Sequence, residues 1–205
     1  MVFNPLAPED FNHILENLRL LKYPRTLEIR GYSINFRPVA IPLAVMLVIP
    51  RMANLISLTI HNSIDLNEDF ISAFRKCIQQ SSFQELRLFL MYHLPFSVLD
   101  EAKNVRHLTL SGCGAKDGPI PSTPSSQLSL ETLVISGLFS PEVHSWATRW
   151  VTRLTTLELQ DLTPGADWTV FPELLAACSN SLTWLHLDVG FRCMCSLWYL
   201  TLKFT

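Results

Sequence analysis

Short phrases recur along the chain in which an apolar residue, two variable ones, Leu, one variable residue and another apolar one follow in that order. Clear copies are Leu55–Ile60, Phe83–Leu88, Val105–Leu110, Leu130–Ile135, Leu154–Leu159 and Leu182–Leu187, and weaker ones are Pro24–Ile29 and Leu197–Leu202. Leu27, Leu58, Leu86, Leu108, Leu133, Leu157, Leu185 and Leu200 occupy the equivalent position in each. The steps between them fall in or close to the range of stacked repeat units, roughly 20–30 residues, except the last, from Leu185 to Leu200, which is much shorter. The two closing apolar residues lie two apart, so they share one face of a strand while the residue between them points the other way. One such strand cannot bury its apolar face alone. Stacked copies can, which predicts an α/β solenoid with a curved parallel sheet on its concave side and helices and loops on its convex side. Seven intervals at roughly 4.8 Å per strand give a sheet about 34 Å across.

The intervals between phrases carry helical periodicity. Asn67 is a good N-cap for a helix that aligns Phe70, Ile71, Phe74 and Ile78, and Glu68 and Asp69 suit its N-terminal end. Ser140 followed by Pro141 starts another, with Val143, Trp146, Ala147 and Trp150 on one stripe. A third runs from about Phe171 to Cys178, and the apolar stretch Val39 to Ile49 reads as a buried helix of the first full repeat. The crossing from Ser111 to Ser129 differs. Its Gly112, Gly114, Gly118, Pro119, Pro121 and Pro124 predict a loop, and Ser122, Thr123, Ser125 and Ser126 make it a candidate interaction or phosphorylation segment.

Alternation assigns the outward strand positions. These include Glu28, Arg30, Ser57, Thr59, His61, Glu85, Arg87, Phe89, His107, Thr109, Glu158, Trp184 and His186. Aromatic and Arg side chains dominate binding hot spots, so Arg87, Phe89 and Trp184 are the first candidates for contact with a partner.

Composition narrows the class. With 205 residues, 48% hydrophobic content and a formal charge of −2, the chain has the size and core material of one domain. Lys and Arg are scattered with no basic patch, which argues against a nucleic-acid partner. The longest apolar stretch is interrupted by Pro42 and too short to span a bilayer, and the start lacks a charged segment followed by a long apolar run, so neither membrane insertion nor a secretory leader is expected. Five cysteines without a regular framework point to reduced thiols and a cytoplasmic or nuclear setting.

Chemistry is sparse. Cys193 and Cys195 are one residue apart without the further ligands a zinc site needs. His61, His107 and His186 fall on different strands with no triad-like order of Asp and Ser, and neither phosphate-binding glycine pattern occurs. No catalytic residue, cofactor or metal is therefore expected.

Val105–Cys113 and Leu154–Leu159, with irregular spacing and long intervening helices, resemble leucine-rich repeats, in particular the repeat half of F-box-like proteins in their divergent fungal sets. The resemblance spans about residues 24 to 205. It implies that Cys113, three residues after Leu110, is a buried thiol bonding backbone groups of the turn that leaves its strand. It implies further that the repeats capture a protein, which an N-terminal F-box links through a Skp-type adaptor to a cullin ubiquitin ligase. Only Leu6 to Leu15 looks like an opening F-box helix, and the first phrase begins at Pro24, which leaves the rest no room.

The sequence thus predicts an N-terminal helical segment, 1–22, that is an F-box remnant or cap, and a repeat domain, 23–205, of about seven to eight irregular repeats. The function it favours is non-enzymatic protein recognition through the concave face. A diverged remnant without its own function and an enzyme with an unrecognised site are the alternatives. The short last step, from Leu185 to Leu200, leaves no room for a helix, so 190–196 should be a tight loop and the strand near Leu200 an uncapped edge open to another chain.

Overall fold

In a computed structural model of the protein, the described residues are 2–3, 17–30, 43–61, 66–91, 93–114, 129–137, 141–161, 171–189 and 198–203. They form an α/β fold around one sheet of nine strands: β1 (Val2–Phe3), β2 (Thr26–Arg30), β3 (Ser57–His61), β4 (Glu85–Phe89), β5 (His107–Ser111), β6 (Thr132–Ser136), β7 (Thr156–Gln160), β8 (Trp184–Val189) and β9 (Trp198–Lys203). Spatial order equals chain order throughout. The first eight strands run parallel, and the register carries Leu27, Leu58, Leu86, Leu108, Leu133, Leu157 and Leu185 side by side in one unbroken row. The recurring phrases therefore set the strands and their register.

Parallel neighbours need a crossover connection, and the described helices lie in those connections. They are α1 (Leu43–Val48), α2 (Glu68–Ile78), α3 (Phe96–Leu99), α4 (Pro141–Trp150) and α5 (Phe171–Cys178). Asn67 caps α2 as its sequence requires, its Oδ1 accepting from the Phe70 amide at 2.8 Å. The α2 residues Phe70, Ile71, Phe74 and Ile78 are buried, as are Val143, Trp146, Ala147 and Trp150 of α4, in the same core as the leucine row and the apolar row two residues beyond it. Val39 to Pro42 of the expected first helix, most of the 111–129 loop, the Leu6–Leu15 helix and the 190–196 loop lie outside the described residues. Ahead of Leu6, Val2–Phe3 is a short strand paired with β2, an element the sequence pattern did not indicate.

One expectation is overturned. The phrase around Leu200 is not an eighth equivalent copy, because β9 runs antiparallel to β8 and pairs Leu200 with Leu187 and Leu202 with Leu185. The reason is connection length: the step from Leu185 to Leu200 is too short for a crossover with its helix, but ample for a hairpin.

Two polar devices repeat with the leucines and were not read from the sequence. Four residues before the consensus leucine, Asn54, Ser82, Asn104 and Ser181 each donate a side-chain hydrogen bond to backbone carbonyls of the preceding unit: Asn54 to Lys22, Ser82 to Ala53 and Leu55, Asn104 to Gln80, Ser181 to Leu154. They satisfy carbonyls where the chain turns into each strand. Four residues after the leucine, Leu90, Gly112, Gly137 and Asp161 all have positive φ, of 56°, 59°, 83° and 55°. Each of these strands thus leaves the sheet through one left-handed residue. Gly112 suits its position, since its φ of 59° favours glycine and a Cβ there would lie 2.8 Å from Cδ2 of Leu90, whose exposed side chain would have to shift.

Between helices, Trp146 of α4 is fully buried against Phe96 of α3, with ring centres 5.4 Å apart. Its Nε1 donates to the buried Asp100 carboxylate at 2.8 Å. Burial pushes the Asp100 carboxyl above its ordinary range, against the hydrogen bond from Trp146 and the charge of Arg149. Cys113 is buried and its thiol donates to the Leu88 carbonyl at 3.4 Å, the backbone role expected of it. Desolvation raises that thiol to about 11 and the Cys77 thiol to about 12.

Candidate functional site

The same alternation that buries the leucines leaves the other face of the sheet uncovered by any described helix. Because the strands are in register, its side chains form rows. One row holds Thr26, Ser57, Glu85, His107, Thr132, Thr156 and Trp184; the next holds Glu28, Thr59, Arg87, Thr109, Val134, Glu158 and His186. Arg30, His61, Phe89, Ser111, Ser136 and Gln160 follow in a further row. Arg87, Phe89, His107, Thr109, Glu158, Trp184 and His186 all fall on this face, with His107 and Arg87 exposed and the others half-buried. Ser57 does not behave as an outward position. It is buried, its hydroxyl bonded to the Glu85 carboxylate beside it.

Three zones differ in chemistry. On β2 to β4 the charges neutralise one another. Glu28 Oε1 accepts from Arg30 Nε at 2.7 Å and lies 2.8 Å from His61 Nε2, and the Arg30 hydrogen bond holds its carboxyl below the usual range despite partial burial. Arg87 reaches Glu85 at 2.5 Å. Burial opposes ionisation of Glu85, but hydrogen bonds from Ser57 and Arg87 outweigh it and its carboxyl also sits low. Phe89 lies flat on the His61 imidazole, with ring centres 4.6 Å apart and planes 9° from parallel. These contacts fix Arg87 and Phe89 in place.

The middle zone, β5 to β7, is dominated by small residues, Thr109, Ser111, Thr132, Val134, Ser136 and Thr156, with His107, Glu158 and Gln160 as its larger side chains. Ser111 and Ser136 hydroxyls are 3.0 Å apart. The third zone, β7 to β9, pairs Trp184 with His186 at 6.2 Å between ring centres, and His186 Nδ1 is 2.9 Å from the Thr201 hydroxyl. Its carboxylates meet only neutral donors. Glu158 accepts from Gln160 Nε2 at 3.2 Å and Asp161 from the Ser136 hydroxyl at 3.4 Å, while Asp188 Oδ1 is buried without a hydrogen-bond partner.

The aromatic edges at Phe89 and His61 and at Trp184 and His186 thus lie about four strand spacings apart, roughly 19 Å from β4 to β8, with the small side chains concentrated on β5 and β6 between them. The sequence identified the residues of this face. It missed the Glu28 contact with His61 and the acidic grouping of Asp161 and Asp188 beside Glu158, because neighbouring strands are separated in the chain by a whole intervening crossover. Aligning the phrases at their leucines would have brought Glu158, Asp188 and their neighbours into adjacent columns.

Elsewhere, a shallow cleft of about 320 Å³ lies between α1 and α2, lined by Met46, Leu47, Pro50, Arg51, Asp69 and Lys76. Among the described residues no group of His, Cys, Asp and Glu converges as a metal site would, and no helix is long and apolar enough to cross a membrane. Cys193 and Cys195 are outside the described residues. No family model, curated protein or solved structure matches the chain.

Proposed function

We propose that the protein is a leucine-rich-repeat-like solenoid whose open sheet face is concave and binds another protein without catalysing a reaction. The observation that carries this reading is the unbroken, in-register row of leucines from Leu27 to Leu185. That row ties one face to the core and frees the residues of the other face for recognition. Helix and loop lengths vary between repeats while the strands keep one length, five residues from β2 to β7. This is the economy of a scaffold that holds a surface constant.

The zone of Thr109, Ser111, Thr132 and Ser136 suits a folded surface or an extended chain. Its hydroxyls offer donors and acceptors, and its short side chains let a backbone approach. Phe89 and Trp184 at its two edges supply apolar contact area, and Phe89 loses little further freedom on binding because His61 already holds it. The resemblance to F-box-like proteins makes capture of a protein destined for a ubiquitin ligase the corresponding biological setting.

Affinity capture from native cells, followed by binding measurements on purified components, tests the reading. Phe89→Ala, Trp184→Ala and a blocking Thr109→Arg should each weaken a recovered partner by more than about 1 kcal/mol while the melting temperature stays near that of the parent protein. A partner that ignores all three and is lost on removal of 115–126 would place recognition on the loop instead.

A further inference from the structure

The hydrogen-bonding phase of the sheet can be followed to its last strand. The amide of the residue before each consensus leucine donates to the preceding unit, Thr156 to the Glu131 carbonyl at 2.9 Å and Trp184 to the Thr155 carbonyl at 3.0 Å. Successive residues of a strand direct their backbone groups to opposite sides, so Trp184, His186 and Asp188 bond toward β7 while Leu185, Leu187 and Val189 turn toward β9. Their partners there are Leu202, Leu200 and Trp198. The amides and carbonyls of Tyr199, Thr201 and Lys203 therefore point away from β8, along an outer edge with which no described strand pairs. The apolar row also reaches this edge uncovered: Leu185 and Leu187 are buried, whereas Leu202, in line with them, is 39% exposed. With six residues, no proline and Lys203 as its single charge, β9 carries few of the devices that keep strand edges apart.

We propose that this edge pairs with a second copy of the chain, β9 against β9 and antiparallel, about a two-fold axis through Thr201. With Thr201 opposite its counterpart, Tyr199 comes opposite Lys203, so all three outward residues are used and about six inter-strand hydrogen bonds form. Moving the axis toward Trp198 leaves Lys203 with no residue of β9 opposite it. Moving it toward Lys203 strands Tyr199 in the same way and brings two like charges together. The axis stands perpendicular to the sheet, so both cores lie on one side and both open faces on the other. Leu200 and Leu202 of one copy then come opposite Leu202 and Leu200 of the second, which continues the apolar row across the junction and covers the exposed Leu202. A head-to-tail arrangement offers less, because the opposite edge of the sheet is β1, only two residues long. It would also propagate, whereas pairing through one and the same edge closes at two copies. The pairing is separate from recognition on the open face.

Sedimentation velocity of the 205-residue chain at about 5–300 µM tests this, since a contact between single strand edges lies at the small end of specific interfaces and dissociates on dilution. The chain should pass from monomer to dimer over that range without larger species. Thr201→Pro removes the outward amide at the axis and leaves the bonds of Leu200 and Leu202 to β8 in place. It should weaken dimerisation at least about fivefold. Thr201 also meets His186 through its hydroxyl, so Thr201→Val, which loses that contact and keeps the amide, should dimerise like the parent. A second readout stands even if the proline variant fails to fold. In a Cys193→Ser, Cys195→Ser background, Thr201→Cys sets two thiols across the axis with Cα atoms about 5.5 Å apart, within disulfide reach. Mild oxidation should then give a covalent dimer, whereas Ser72→Cys, exposed on α2, should give none. A monomer at every concentration, with Thr201→Cys crosslinking no faster than Ser72→Cys, would overturn the proposal. A dimer that Thr201→Cys does not lock would place the interface elsewhere and overturn it equally. Loss of the dimer in Thr201→Val would assign the contact to the side chain and refute pairing through the backbone edge.

Discussion

Leu157→Ala is the most direct probe of how the protein is held together. Leu157 is fully buried, in register between Leu133 on β6 and Leu185 on β8, which are themselves buried. The substitution deletes three carbons, worth about 2.4 kcal/mol at roughly 0.8 kcal/mol each. The void cannot close easily, because β7 is hydrogen-bonded to a neighbour on each side and the leucine row is fixed by those backbones. A residual cavity should add about 1 kcal/mol, for a total of about 3–4 kcal/mol within the range known for buried Leu→Ala changes. For a chain of this size the melting temperature should fall by about 6–16 °C. Urea unfolding followed by circular dichroism gives the free energy directly, and the slope against urea should not change. Thr109→Ala, on the opposite face two strands away, should cost less than about 0.5 kcal/mol. Comparable losses at both positions would mean that the assigned facing is wrong by one residue.

Other outcomes follow from the polar and backbone devices. Gly112→Ala should cost about 1–2 kcal/mol, from its positive φ and the contact with Leu90, whereas Gly114→Ala, with open space around it, should change stability by less than about 0.5 kcal/mol in the same melts. Asn104→Ala should cost about 0.5–1.5 kcal/mol by removing the bond to the Gln80 carbonyl; no measurable loss would deny these bonds a role between repeats. Burial raises the Asp100 carboxyl above its ordinary 3.8, so the folded protein takes up that proton at a higher pH than the unfolded chain. Its contribution to stability is then full below 3.8 and is lost as pH rises through the folded value. Asp100→Asn should flatten that fall in pH-dependent melts, and an unchanged profile would contradict it. In a Cys193→Ser, Cys195→Ser background, Cys77 and Cys113, raised to about 12 and about 11 by burial, should resist a thiol reagent at pH 8 until the protein is unfolded.

The sequence by itself determined the repeating part of this protein. An apolar pair two residues apart can only be one face of a strand, and its recurrence after the consensus leucines fixed seven of the nine strands, β2 to β8, their order and their facing, including the positions of Arg87, Phe89, Thr109, Glu158 and Trp184. Local chemistry was equally legible, since a cap such as Asn67 or a helix start such as Pro141 acts within one turn. What only the tertiary structure decided depends on groups far apart in the chain. Asp100 meets Trp146 across 46 residues, and Asn104 reaches the Gln80 carbonyl across 24. Phe89 gained its stacking partner, and Ser57 its burial, from neighbouring strands. The direction of β9 was likewise decided by closure: its phrase matches the others, but a short connection can return only as a hairpin. Pattern specifies which face of a strand is apolar, whereas chain length and neighbouring side chains specify where that strand goes and what its other face encounters.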